Sequence, residues 1–93
     1  MKETIEKLNN ENKPFMVKFT AKWCGGCKQI QPLLDNLKND INIVIFDVDE
    51  DMEYPKSLGI KSIPTLIFFD KGQEKDRIVG ITTKEKILET FNK

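Results

Sequence analysis

Apolar residues are sparse at the start of the chain, where Ile5 and Leu8 stand three apart among Lys, Glu and Asn. That spacing marks one face of a helix, so KETIEKLNN predicts a short amphipathic helix ending before Pro14. The pattern then tightens. PFMVKFTA is dense in strand formers and predicts a strand from Phe15 to Ala21. After Trp23 the apolar positions fall at Cys27, Ile30, Leu34 and Leu37, and steps of three and four predict a helix.

INIVIFDVD is nearly continuous apolar sequence rich in branched side chains, which predicts a strand over Ile43–Val48 covered on both faces. EDMEYPKSLG predicts a short helix interrupted by Pro55 and closed by Gly59. IPTLIFFDKGQEKDRIVG predicts two strands joined by a tight turn from Asp70 to Gln73, with Gly72 supplying a positive backbone angle. Thr82 and Glu85 have the spacing of a capping box opening a last helix, whose Ile87, Leu88 and Phe91 face inward. The order is helix, strand, helix, strand, helix, strand, strand, helix. A right-handed βαβ unit followed by a hairpin and a helix makes a three-layer α/β domain.

Composition narrows the function. Ninety-three residues, 39% of them apolar, support one core, so residues 1–93 are expected to form one domain. Fifteen basic and fifteen acidic side chains give zero net charge with no basic block, which argues against nucleic acid and against an anionic membrane as partners. The first residues lack the apolar run of a secretory signal, and no stretch is long enough to span a bilayer; a cytoplasmic location is expected. Two cysteines are too few to build a disulfide scaffold. In a reducing compartment a Cys-x-x-Cys pair invites a chemical explanation.

Both cysteines lie in KWCGGCK, three positions apart. Residues so spaced at the first turn of a helix share a face, and a small adjustment brings their sulfurs to bonding distance. Cys24 sits at the loop-to-helix junction, while Cys27 is in phase with the buried stripe. Unpaired N–H groups at a helix start stabilise an anion, so Cys24 is expected to attack a target disulfide and Cys27 to resolve the mixed disulfide. Gly25 and Gly26 leave Cys24 open to a substrate peptide. A zinc site within one chain needs four ligands, and there is no histidine and no second cysteine pair. No metal and no bound cofactor are expected. A metal or cluster shared between two chains stays open on the residues alone. An inert bridge across so short a loop would stabilise little.

WCGGCK with Pro32 five residues after Cys27, and GIKSIPTLIFF downstream, resemble the thioredoxin family over Phe15–Phe91. Trp23 before the first cysteine, Asp49 fifteen residues before Pro64, Gly72 eight after it and Gly80 eight later agree with the same pattern. The resemblance implies a protein-disulfide reductase with the thioredoxin fold, α/β/α, on a central mixed sheet of about four strands. It places the strand at Phe15 between those at Ile43 and Thr65, makes the Ile63–Pro64 bond cis, and leaves the hairpin's second strand at an edge. Trp23, Gly25, Gly26, Ile63, Pro64, Val79 and Gly80 would bind substrate, with Val48 and Ile81 completing an apolar rim. The Ile63 backbone would pair with an extended substrate segment, and Pro32 would shape the helix beneath the cysteines. The implied partners are protein disulfides and a thioredoxin reductase or equivalent electron donor, with the chain acting as a monomer.

The chain departs from that pattern at three places. Lys18 stands six residues before Cys24, where the family usually buries an aspartate that helps deprotonate the inner thiol. A lysine there must snorkel, pair with a carboxylate or lose its proton, and it is expected to tune Cys27 electrostatically. Gly26 replaces a typical proline, and the short N-terminus has almost no residues from which the family's extra first strand could come, so four strands are expected. Glutaredoxins are similarly small, but SIPT and VGITT are present and the usual glutathione-holding double glycine and aspartate are not. A glutaredoxin-like or redox-sensing role, and the shared metal or cluster module, are the alternatives.

Overall fold

The alternation of side chains in FMVKFT decides how the sheet is covered. The structure, a computed structural model, describes residues 1–93. Its elements are α1 (Lys2–Asn10), β1 (Phe15–Thr20), α2 (Gly25–Leu37), β2 (Ile43–Asp47), α3 (Glu53–Ser57), β3 (Thr65–Asp70), β4 (Gln73–Val79) and α4 (Lys84–Phe91). One sheet of four strands has the order β2-β1-β3-β4. β1 runs parallel to β2 and antiparallel to β3, and β3 is antiparallel to β4.

Phe15, Val17 and Phe19 point to one face of the sheet, where they pack with Ile5, Phe46, Ile67 and Phe69 and with Leu8 and Tyr54 from α1 and α3. Met16 points the other way, to Ile30, Leu34 and Leu37 of α2, Ile87 of α4, and Leu66 and Phe68 of β3. Helices therefore cover both faces, and each fully buried Phe or Leu side chain contributes roughly 2 kcal/mol through loss of water contact. Phe15 and Phe69 are paired in register and stack with ring centroids 5.0 Å apart.

Three local expectations are corrected. β2 is an edge strand, with Phe46 buried but Ile45 44% exposed. One face is covered through Val44 and Phe46, while the other is covered at Ile43 and open at Ile45. The cap of α4 is Thr83, whose hydroxyl accepts from the Lys86 N–H at 3.2 Å, so the Thr82–Glu85 capping box does not form. Helix phase explains the shift, since starting one residue later turns Ile87 and Thr90 into the core. Pro55 does not interrupt α3 but lies in its first turn, where a missing N–H costs nothing.

The β3–β4 turn has positive φ at both Lys71 (54°) and Gly72 (82°), and Gly59 follows α3 at φ 72°. No helix is long and apolar enough to cross a membrane.

Candidate active site

α2 starts where β1 leaves the sheet, and Cys24 caps it. Its backbone is extended (φ −83°, ψ 108°), and its Sγ accepts from the Cys27 N–H at 3.1 Å. A sulfur in the place of an N-cap oxygen receives the partial positive charge of the first helical turn, which favours thiolate over thiol. Cys24 and Cys27 are joined as a disulfide with Cα atoms 5.3 Å apart. The sulfurs pack with Ala21, Val48 and Ile63. In this oxidised form Cys24 is 5% and Cys27 1% exposed, so the expected difference in depth has the right sign but is small.

A second segment faces the pair. The Ile63–Pro64 peptide is cis. The Gly80 N–H donates to the Pro64 carbonyl at 2.8 Å, tying the end of β4 to the entry of β3. Gly80 has φ 89°, a conformation that only glycine adopts without strain. The Ile63 N–H and C=O have no hydrogen-bond partner within the chain, and so are free to pair with an added strand. Gly26 lies against Pro64: a β-carbon at position 26 would stand 3.3 Å from Pro64 Cδ.

The rim is apolar and open. Trp23 is 70% exposed, with its Nε1 donating to Asp49 Oδ2 at 2.9 Å, and Val79 and Ile81 are both 59% exposed. Between Trp23, Ile63 and α3 lies an open cavity of about 670 Å³, also lined by Val48, Met52 and Ile60. Pro32 lies within α2, which continues to Leu37.

Lys18 neither snorkels nor bonds a carboxylate directly. It is 4% exposed, and its Nζ donates to the Cys27 carbonyl at 3.0 Å and to Gln31 Oε1 at 2.6 Å. Two oxygens of α2 therefore satisfy it in place of water or a carboxylate. Loss of hydration pushes its pKa below the usual lysine value, partly offset by the charge of Asp35. Sequence reasoning missed Gln31; the available signal was its position one helical turn after Cys27. It also used Asp49 only as a spacing mark and missed its bond to Trp23. No three or more His, Cys, Asp or Glu side chains gather in a metal-binding group.

The thioredoxin family model matches residues 2–93, a wider span than the motifs alone covered. The chain belongs to the thioredoxin family. It is 42% identical over 82 residues to the thioredoxin of Staphylococcus saprophyticus, covering 84% of this chain and 79% of that protein. To the thioredoxin of Rickettsia felis it is 37% identical over 84 residues, covering 86% and 80%. Among solved structures, the thioredoxin of Fasciola hepatica superposes with a TM-score of 0.85 at 34% identity, covering 98% of this chain and 91% of that one. The thioredoxin NaTrxh of Nicotiana alata gives 0.87 at 28% identity, with 98% and 81% covered. The chain is accordingly a thiol-disulfide oxidoreductase of the thioredoxin fold, with its Cys-x-x-Cys pair at disulfide distance. Thioredoxins in general act on protein disulfides and are served by a reductase.

Proposed function

We propose that Cys24 is the attacking thiol and Cys27 the resolving one in the reduction of protein disulfides. The Cys24 thiolate attacks one sulfur of a target disulfide, and the other target sulfur leaves with the bonding electron pair and takes a proton from water. Cys27, deprotonated, then attacks Cys24 Sγ, so the Cys24–target bond breaks, the Cys24–Cys27 bond forms, and the second target sulfur departs. The target gains two electrons and two protons. The dithiol is restored by a thioredoxin reductase or an equivalent donor, and no bound cofactor takes part.

The observation that carries this reading is the placement of Cys24 Sγ at the cap of α2, where the first-turn N–H groups favour its anion. The free backbone of Ile63 supports the binding of an extended target beside the sulfurs, with Pro64, which has no N–H, leaving the acceptor positions uncontested. Trp23, Gly25, Gly26, Val79 and Gly80 form the surrounding contact surface, and Pro32 shapes α2 beneath it. We place this activity in the cytoplasm, on a monomeric chain whose residues 1–93 act as one domain, with neither nucleic acid nor membrane as a partner.

The test is turnover of a model protein disulfide with a dithiol regenerant, comparing the unsubstituted protein with Cys24→Ser and Cys27→Ser. Both variants are expected to lose catalytic turnover. Equal rates in all three proteins would reject the assignment.

A further inference from the structure

Lys18 is a cation set into the middle of the sheet directly beneath the reactive helix. It lies on the same face of β1 as Met16, with Ile45 of β2 and Leu66 of β3 beside it in register. Its Nζ bonds reach the carbonyl of the inner cysteine and the Gln31 side chain, and Gln31 Nε2 donates in turn to Asp35 Oδ1 at 2.9 Å. A continuous chain of groups therefore runs from the backbone of Cys27 to a carboxylate on α2. Neither direct partner of Nζ is charged, so the ammonium is held by dipoles and not neutralised by contact. Held in this way, it is available to a negative charge forming nearby.

We propose that Lys18 is the positioning residue of the resolving step, holding Cys27 through its carbonyl and supplying the positive charge against which the Cys27 thiolate forms. This rests on the reading of Cys27 as the resolving thiol. Before resolution Cys27 loses its proton to water, and its sulfur then attacks Cys24 while the target sulfur leaves with the electron pair. The ammonium favours the Cys27 thiolate over the thiol, so more of the residue is in the form that attacks. The residue usual in the family at this place assists by accepting a proton; a cation assists instead by stabilising the anion.

Other charges face the same region. Lys22, Lys28 and Asp47 line a cleft of about 280 Å³ with Lys18, Cys27 and Gln31. Lys22 and Lys28 are exposed and act through water, while Asp47 on β2 opposes the thiolate. From β3 the neighbour in register is the apolar Leu66. Lys18, buried and bonded to Cys27 itself, is the cation placed to dominate.

In a Cys24→Ser background Cys27 is the sole thiol, and its ionisation is followed by thiolate absorbance against pH. Lys18→Met is expected to cut the thiolate fraction near neutrality about tenfold, a shift typical of losing one close opposite charge. With both cysteines present, Lys18→Met should slow release of the target from the mixed disulfide about threefold, the smaller thiolate fraction being partly offset by a more nucleophilic thiolate. The rate at which Cys24 forms that mixed disulfide should change far less. In the Cys24→Ser protein with Lys18 intact, NMR of the lysine should show its titration moving upward as Cys27 ionises, since coupling is reciprocal. An unchanged Cys27 titration in Lys18→Met, or a Lys18 signal indifferent to Cys27, would overturn the proposal. Failure of the underlying assignment shows differently: Cys27→Ser would then release its target as fast as the unsubstituted protein.

Discussion

The backbone of Gly26 lies against the ring of Pro64, so closely that a β-carbon on Gly26 would meet Pro64 Cδ at 3.3 Å. The loop between the cysteines and the segment proposed to receive substrate are therefore one packed unit. Gly25, by contrast, has nothing within 4 Å of where its β-carbon would be. Gly25→Ala is expected to raise stability by about 0.5–1 kcal/mol, the cost of glycine in a helix. Gly26→Ala should gain less than that, because Pro64 must give way. The displaced Pro64 should also lower kcat/KM toward a protein disulfide several-fold. Thermal melts and steady-state kinetics on the two variants check both halves.

Lys18 should also leave a mark on stability against pH. Its pKa in the folded protein lies below the unfolded value because burial disfavours the charged form. The unfolded chain thus binds the proton more tightly, and stability rises with pH across the window from the folded pKa up to the ordinary lysine value. Below that window the desolvation cost is present in full. Lys18→Met removes it, and is expected to stabilise the protein at neutral pH by about 1 kcal/mol, or roughly 5 °C in Tm. The variant's melting temperature should also lose this alkaline rise. A lower Tm at neutral pH would show that the two carbonyl contacts outweigh the cost of burial.

The start of α4 makes a separate prediction. Thr83→Ala removes the hydroxyl that accepts from Lys86 N–H and should cost about 1 kcal/mol in chemical denaturation. Thr82→Ala, which touches no cap bond, should change stability by only a few tenths.

Much of this molecule is legible in its sequence for identifiable reasons. The density of strand formers in PFMVKFTA and the three- and four-residue steps from Cys27 to Leu37 are strong signals, and both elements form where they point. The order β2-β1-β3-β4 and the cis bond at Pro64 came from the family pattern, since neither follows from residue type. What escaped was set by neighbours distant in the chain. How far INIVIFDVD is covered on each face depends on the elements packed over the sheet, and the run itself is silent. Thr82 and Thr83 both suit a cap, and the packing of Ile87 and Thr90 chooses between them. The partners of Lys18 and Trp23 lie 9 to 26 residues away, beyond any local pattern.

The most direct measurement traps the intermediate. Protein carrying Cys27→Ser is mixed with an oxidised target protein, separated without reductant and weighed by intact mass spectrometry, with Cys24→Ser treated identically. The account predicts a stable adduct of one chain and one target through Cys24 in the first case and almost none in the second. An adduct that forms through Cys27 in the Cys24→Ser protein, with none at Cys24, would contradict it.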